Sequence, residues 1–352
     1  MKMKTEWTQP YVKIEPLNEA AAAEARRRVD QLTKPLGSLG RLEELAVRLA
    51  AMTGSALPSV TPPGVLVFAA DHGVTAEGVS AYPQEVTAQM VANFAAGGAA
   101  INVFSRQIGA LLHVVDVGVA VEVEAPGVWR KKIRPGTGNL LREEAMTPEE
   151  AERAVQVGLE CAGAIADEGA KLLIIGEMGI GNTTASSALL AALSGAEPDE
   201  LVGRGTGVGD AAWERKKAVV KQALARHRPD PARPLEALAK VGGLEIGAMA
   251  GAVLGAAARR IPVLVDGFIS TVAALLAVRL CPGAADYLIA GHRSQEPGHL
   301  HALRALGKEP LIDLGLRLGE GSGAAVAFPI VEAATRMIRE MATFESAGVS
   351  SR

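Results

Sequence analysis

Five short apolar runs punctuate the chain from residue 64 onward: GVLVFAAD, LLHVVDVG, KLLIIGE, IPVLVDG and DYLIAGH. Each is apolar at nearly every position rather than at alternate ones, as expected of strands buried on both faces of a parallel sheet. The segments between them read as the covering helices. The clearest runs from Thr147 to Ala170, where Thr147 offers an N-cap oxygen, Pro148 suits the first helical position and Glu150 completes a capping box. Strand and helix therefore alternate. This predicts an α/β fold, a Rossmann-like open parallel sheet flanked by helices, with ligands at the carboxyl ends of the strands. Residues 1–57 and 323–352 lie outside the alternating region and are expected to form a small helical domain from both chain ends, leaving 58–322 as the large domain.

Composition narrows the range of partners. A chain of 352 residues, 49% hydrophobic and 21% charged, can bury a sizeable core. A formal charge of -3 and only 3% aromatic residues supply neither the clustered positive charge nor the stacking platforms that nucleic acid or an anionic membrane rewards. Small-molecule chemistry is favoured. The 39 glycines extend into apolar helical segments such as EIGAMAGAVLGAAARR, where each costs about 1 kcal/mol against alanine unless helices pack closely over it. Cys161 and Cys281 have no partners at metal-ligand spacing and read as core thiols, so no metal is expected. The opening MKMKTEWTQPYVKIEPLNEA has lysines but no apolar core of a secretory signal. The apolar stretch Ile261 to Leu280 is interrupted by Pro262 and Asp266 and fits a strand, a turn and a helix better than a membrane span. A cytoplasmic location is the expectation.

Chemistry concentrates where the runs end. IIGEMGIGNTTASS, Ile174 to Ser187, places glycines where backbone N–H groups can turn toward an anion, and Thr183 and Thr184 are expected to cap the following helix. Gly176, Gly181 and Thr183 match the spacing of a phosphate-binding loop, but Asn182 stands where its lysine should be. A tight turn without a ligand remains open. GRGTGVGD, Gly203 to Asp210, is not a dinucleotide fingerprint, and Lys216 in the helix beyond it is either a phosphate ligand or a solvated lysine. In LRLGEGSGAA, Glu320 stands between two glycines, either as a general base with a raised pKa or as an exposed loop carboxylate. Asp71 and His72 end a run, with Tyr82 and Met90 nearby, but no serine nucleophile accompanies them. His292, His299 and His301 fit no established zinc spacing.

DQLTKPLGSLGRLEELA, ADHGV, GEMGIGNTT, KVGG, LVDGF and LRLGEGSGAA, in this order over nearly the whole chain, resemble the nicotinate-nucleotide:dimethylbenzimidazole phosphoribosyltransferase (CobT) family. The resemblance implies a cytoplasmic homodimer that needs no cofactor. It moves phosphoribose from nicotinate mononucleotide to dimethylbenzimidazole for the lower ligand of cobalamin. By the same resemblance Glu320 matches the catalytic base and Glu177 a second active-site carboxylate. Gly176, Gly179, Gly181, Asn182, Thr183, Gly203, Lys216 and Arg317 match the region holding phosphate and ribose, and Tyr82 and Met90 the segment lining the benzimidazole site. The residues alone leave two alternatives: a phosphate-loop nucleotide hydrolase, against which Asn182 argues, and a nucleotide- or corrinoid-binding protein without activity.

Overall fold

The computed structural model describes residues 12–350. The first eleven residues of the lysine-bearing opening stretch lie outside the described residues. Helices α1 (Glu19–Gln31) and α2 (Arg41–Thr53) precede strand β1 (Pro63–Ala70). Helices α3 (Val86–Ala96) and α4 (Ala100–Gln107) lead to β2 (Leu111–Gly118) and the two-residue β3 (Trp129–Arg130). Next come α5 (Pro148–Asp167), β4 (Leu172–Met178), α6 (Asn182–Ser194), α7 (Pro198–Leu201), α8 (Asp210–His227), α9 (Pro234–Val241) and α10 (Leu244–Ala258). The chain finishes with β5 (Val263–Val265), α11 (Phe268–Leu280), β6 (Leu288–Ala290), α12 (Pro297–Leu306), α13 (Ser322–Glu340) and α14 (Phe344–Ala347).

All strand pairs are parallel, in the order β3-β2-β1-β4-β5-β6. The chain starts at the centre of the sheet, moves out to one edge and returns to build the other half from β4. The order reverses between β1 and β4, so their outgoing loops diverge and leave a crevice at the carboxyl edge. The continuous apolar runs are explained by alternation through the sheet. Leu66, Phe68 and Ala70 of β1 join the core under α5 and α10, while Val65, Val67 and Ala69 join the core under α2 and α13. Helices α1 and α2 pack on each other, and α13 packs on α2 over that second face.

The helical glycines are sites of close approach. A Cβ on Gly158 of α5 would overlap the Ala248 carbonyl of α10, and one on Gly251 of α10 would overlap the Val155 carbonyl of α5. At α5 the cap is as expected: Thr147 Oγ1 accepts from Glu150 N at 3.2 Å, and Glu150 Oε2 accepts from Thr147 N at 2.8 Å. At α6 the expectation fails. Its cap is Gly181, left-handed at φ 97°, with no side-chain cap, and Thr183 and Thr184 already lie inside the helix. A glycine in that conformation starts the helix two residues earlier than a threonine cap would.

Candidate active site

A cleft of about 580 Å³ opens at the carboxyl edge of the sheet. Its walls come from the β1–α3 connection and α3, the turn after β4, the α7–α8 loop, the residues after β5 and β6, and the loop before α13. Nine of the residues singled out above line it: Glu177, Gly179, Gly181, Asn182, Thr183, Arg317, Glu320, Tyr82 and Met90. Gly176, Gly203 and Lys216 stand behind this lining.

Each of those three has a distinct neighbour. A Cβ on Gly176 would overlap the backbone carbonyl of Glu320, so this glycine lets the Glu320 turn lie directly on β4. A Cβ on Gly203 would overlap Glu296 Oε2 and lie 2.7 Å from Pro297 Cδ, which places Gly203 against the start of α12. Lys216 is 1% exposed, and its Nζ donates to Thr183 Oγ1 at 2.7 Å. Burial lowers the Lys216 pKa to about 8, opposed by the Glu296 carboxylate. The ammonium therefore lies one hydroxyl behind the open end of α6, where helix dipole and charge act in the same direction on an anion in the cleft.

Glu320 is 5% exposed, not the solvated loop carboxylate that its glycine neighbours allow. Its Oε2 accepts from the backbone N–H of Ile101 in the first turn of α4 at 3.3 Å. Burial pushes its pKa upward, the Ile101 bond opposes this, and the Asp266 charge adds to the rise. Glu177 is 6% exposed, accepts from Asn182 Nδ2, and has its pKa pushed up to about 8 by burial and then by Glu245, Asp266 and Glu320. A Cβ on Gly319 would overlap Glu177 Oε1, so the Glu177 carboxyl lies against the residue preceding Glu320. The cleft thus sets Glu177, whose raised pKa favours its protonated form near neutral pH, beside a second carboxyl, Glu320, whose basicity is raised as well.

Tyr82 is 55% exposed at the mouth. Met90, Val79, Val86 and Met178 continue inward from it as an apolar wall suited to a flat heterocycle. Asp71 and His72 lie beneath the floor. His72 Nε2 pairs with Glu245 Oε1 at 2.7 Å with both side chains fully buried. Burial pulls the imidazolium down, but Glu245 and Asp71 outweigh it and leave the His72 pKa raised. His299 Nδ1 accepts from Ser294 N at 2.8 Å and its Nε2 meets Thr271 Oγ1 at 3.0 Å. Burial, with His292 beside it, drives its pKa down to about 4, so it is a neutral core histidine. Sequence reasoning did not assign Asp266, Ser294 and Thr206 to the site, and weighed His292 only as a zinc ligand, yet all four stand on the cleft wall. The signal available was position: Asp266 and His292 each follow a predicted strand within the segments LVDGF and GHRSQ. Among the described residues no group of three His, Cys, Asp or Glu side chains is placed to hold a metal ion, and no helix is long and apolar enough to cross a membrane. Cys161 and Cys281 are buried free thiols.

A doubly wound sheet whose switch point holds an uncapped helix end, a buried ammonium and two raised carboxyls suits an enzyme that binds an anionic substrate and moves a proton. A family model described as "Phosphoribosyltransferase" matches residues 14–349. A nicotinate-nucleotide:dimethylbenzimidazole phosphoribosyltransferase of Chloroflexus aggregans is 54% identical over 346 residues, 98% of each chain. One from Halalkalibacterium halodurans is 55% identical over 337 residues, covering 96% of this chain and 94% of its own. The crystal structure of CobT from Thermus thermophilus superposes with a TM-score of 0.91 at 54% identity, covering 95% of this chain and 100% of that one. The chain belongs to the nicotinate-nucleotide:dimethylbenzimidazole phosphoribosyltransferase family. That membership sets aside both the nucleotide hydrolase and the inactive binding protein.

Proposed function

We propose that this protein transfers the phosphoribosyl group of nicotinate mononucleotide to dimethylbenzimidazole, releasing nicotinate and forming alpha-ribazole phosphate for the lower ligand of cobalamin. The observation that carries the reading is the meeting in one cleft of the Glu320 carboxylate, the open N-terminus of α6 and an apolar wall. The phosphate sits at the α6 end against Thr183, with the Lys216 charge behind it and Arg317 at the rim. The benzimidazole lies along Tyr82, Met90 and Met178. Glu320 accepts the ring N–H proton while the other ring nitrogen forms the bond to the anomeric carbon. The bond from that carbon to the pyridinium nitrogen breaks, and its electron pair stays on nicotinate, which leaves as a neutral ring.

No general acid is required, unlike glycoside hydrolysis, where a poor leaving group must be protonated. Attack opposite the leaving group inverts the anomeric configuration. Glu177, a neutral acid near pH 7, orients the ribose hydroxyls by donating and accepting. A homodimer in the cytoplasm belongs to the same proposal. The dimer is what the family resemblance implies, and sedimentation measures it directly.

The test is Glu320→Gln with nicotinate mononucleotide and dimethylbenzimidazole, following nicotinate release and the anomeric configuration of the product. Loss of a general base predicts a fall in kcat of about 10²–10⁴-fold with nucleotide binding retained. Unchanged turnover removes Glu320 from the chemistry, and a product with retained configuration removes in-line attack.

A further inference from the structure

Among the cleft-lining residues other than glycine, Glu320 alone occupies the left-handed region, at φ 65°. An L-residue keeps that conformation only where its surroundings over-determine it. The surroundings here come from two distant strand ends. Asp266, 1% exposed at the end of β5, accepts from Ala324 N through Oδ1 at 2.8 Å and from Gly321 N through Oδ2 at 3.2 Å. His292, 2% exposed at the end of β6, brings Nε2 to 3.3 Å from Asp266 Oδ1. Burial pulls the His292 imidazolium down, but the Asp266 bond and charge outweigh it and leave its pKa raised. Gly321 is the α13 cap and has no side chain with which to close the helix, so Asp266 supplies that cap from 55 positions earlier. A Cβ on Gly323 would run into the His292 ring, so the first turn of α13 rests on the imidazole as well.

A local serine or aspartate cap would hold α13 equally well. A cap from β5 does something more. It ties the residue after Glu320 to the same sheet that carries β4 and α6, and hence to wherever the sugar phosphate is held. It also places a negative charge at the positive end of α13, which would otherwise stabilise the Glu320 carboxylate and weaken it as a base. We propose that Asp266, steadied by His292, is the positioning residue for Glu320: it fixes the turn that carries the carboxylate in register with the sheet. The proposal rests on the reading of Glu320 as the base. The ionisable groups facing the turn are Glu177 from β4, Asp266 from the end of β5 and His292 from the end of β6, with the Ile101 N–H of α4 on the carboxylate itself.

The experiment compares Asp266→Asn, His292→Ala, His292→Gln and Glu320→Gln in the full-length enzyme with nicotinate mononucleotide and dimethylbenzimidazole. Asp266→Asn keeps an oxygen for Ala324 N but turns an amide toward Gly321 N and removes the charge. A misplacement near 1 Å predicts that kcat falls about 10²-fold. KM for the mononucleotide should stay within threefold, roughly as for a group acting only in the transition state. The acid limb of the kcat–pH profile should move to lower pH, since the charge that raised the Glu320 pKa is gone. A kcat within threefold of the parent with an unmoved limb, or a loss confined to KM, overturns the proposal while an inactive Glu320→Gln leaves the base in place. A fully active Glu320→Gln overturns the base instead. Should Asp266→Asn fail to fold, the histidine pair decides. His292→Ala should lose about tenfold in kcat and His292→Gln, which retains a donor toward Asp266, should recover most of it. Parental kcat in His292→Ala overturns the role.

Discussion

Replacing Gly176 with alanine separates two functions for the glycines of the IIGEMGIGN turn. If Gly176 belonged to a phosphate cradle, the substitution would weaken nucleotide binding and raise KM. Instead, its Cα lies against the backbone of the Glu320 turn: an added Cβ would overlap the Glu320 carbonyl and stand 2.6 Å from Gly321 N. Both opposing groups are backbone, and Asp266 and the first turn of α13 hold them from the other side. Relief therefore requires the whole turn to move by about 1 Å, a displacement that costs on the order of 10²-fold in rate when it misplaces a reacting group. Overpacking of this kind also destabilises by roughly 1–3 kcal/mol. Melting should fall by about 2–4 °C for each kcal/mol in a chain of 150–250 residues, and by somewhat less in this longer one. Steady-state kinetics of Gly176→Ala should accordingly show kcat reduced about 10²-fold and KM for nicotinate mononucleotide changed less than threefold. Thermal melting of the same sample measures the stability loss. A tenfold rise in KM with kcat intact would refute the packing argument and return Gly176 to the phosphate site.

Glu177 should make stability depend on pH. Its pKa is raised to about 8 in the folded cleft, first by burial and then by Glu245, Asp266 and Glu320. The folded state therefore holds a proton that the unfolded chain releases near pH 4.5, and stability is lost as pH rises from that value toward 8. Glu177→Gln, which cannot ionise, should gain melting temperature relative to the parent across that window and level off above it; parallel melting curves disprove the shift. Lys216→Met removes a buried ammonium whose pKa burial has already lowered to about 8. It should leave the free protein as stable as the parent or more so, while raising KM for the mononucleotide by about tenfold, the loss of one charge-assisted contact. Calorimetric titration with the mononucleotide gives the binding change, and undiminished affinity would place the phosphate elsewhere. Thr147→Ala, at the N-cap of α5 and outside the cleft lining, should cost about 1 kcal/mol in denaturant unfolding. Its kcat should equal that of the parent, and a changed kcat would mean that α5 couples to the site.

The local features that sequence specifies by itself are those with a period or a fixed offset. Continuous apolar runs marked five of the six strands because each side of the sheet is covered, and the Thr147–Glu150 box marked the start of α5 because its two bonds span three residues. The missed strand, Trp129–Arg130, is only two residues long and pairs at the edge with β2, too short to leave a pattern. Glu177 and Glu320 were legible as carboxylates among glycines. What those glycines are for was not: Gly179 and Gly181 line the cleft while lying against Ala70 and against Thr75 and His72, Gly176 faces the backbone of Glu320 and Gly203 faces Glu296. The burial that makes Glu320 basic, the N–H of Ile101 on its carboxylate from 219 positions away and the Asp266 cap on its turn were decided only when the chain had folded. Contacts of that kind join residues through space at separations that no repeat records, and it is they that set how acidic, how exposed and how fixed each group in the cleft becomes.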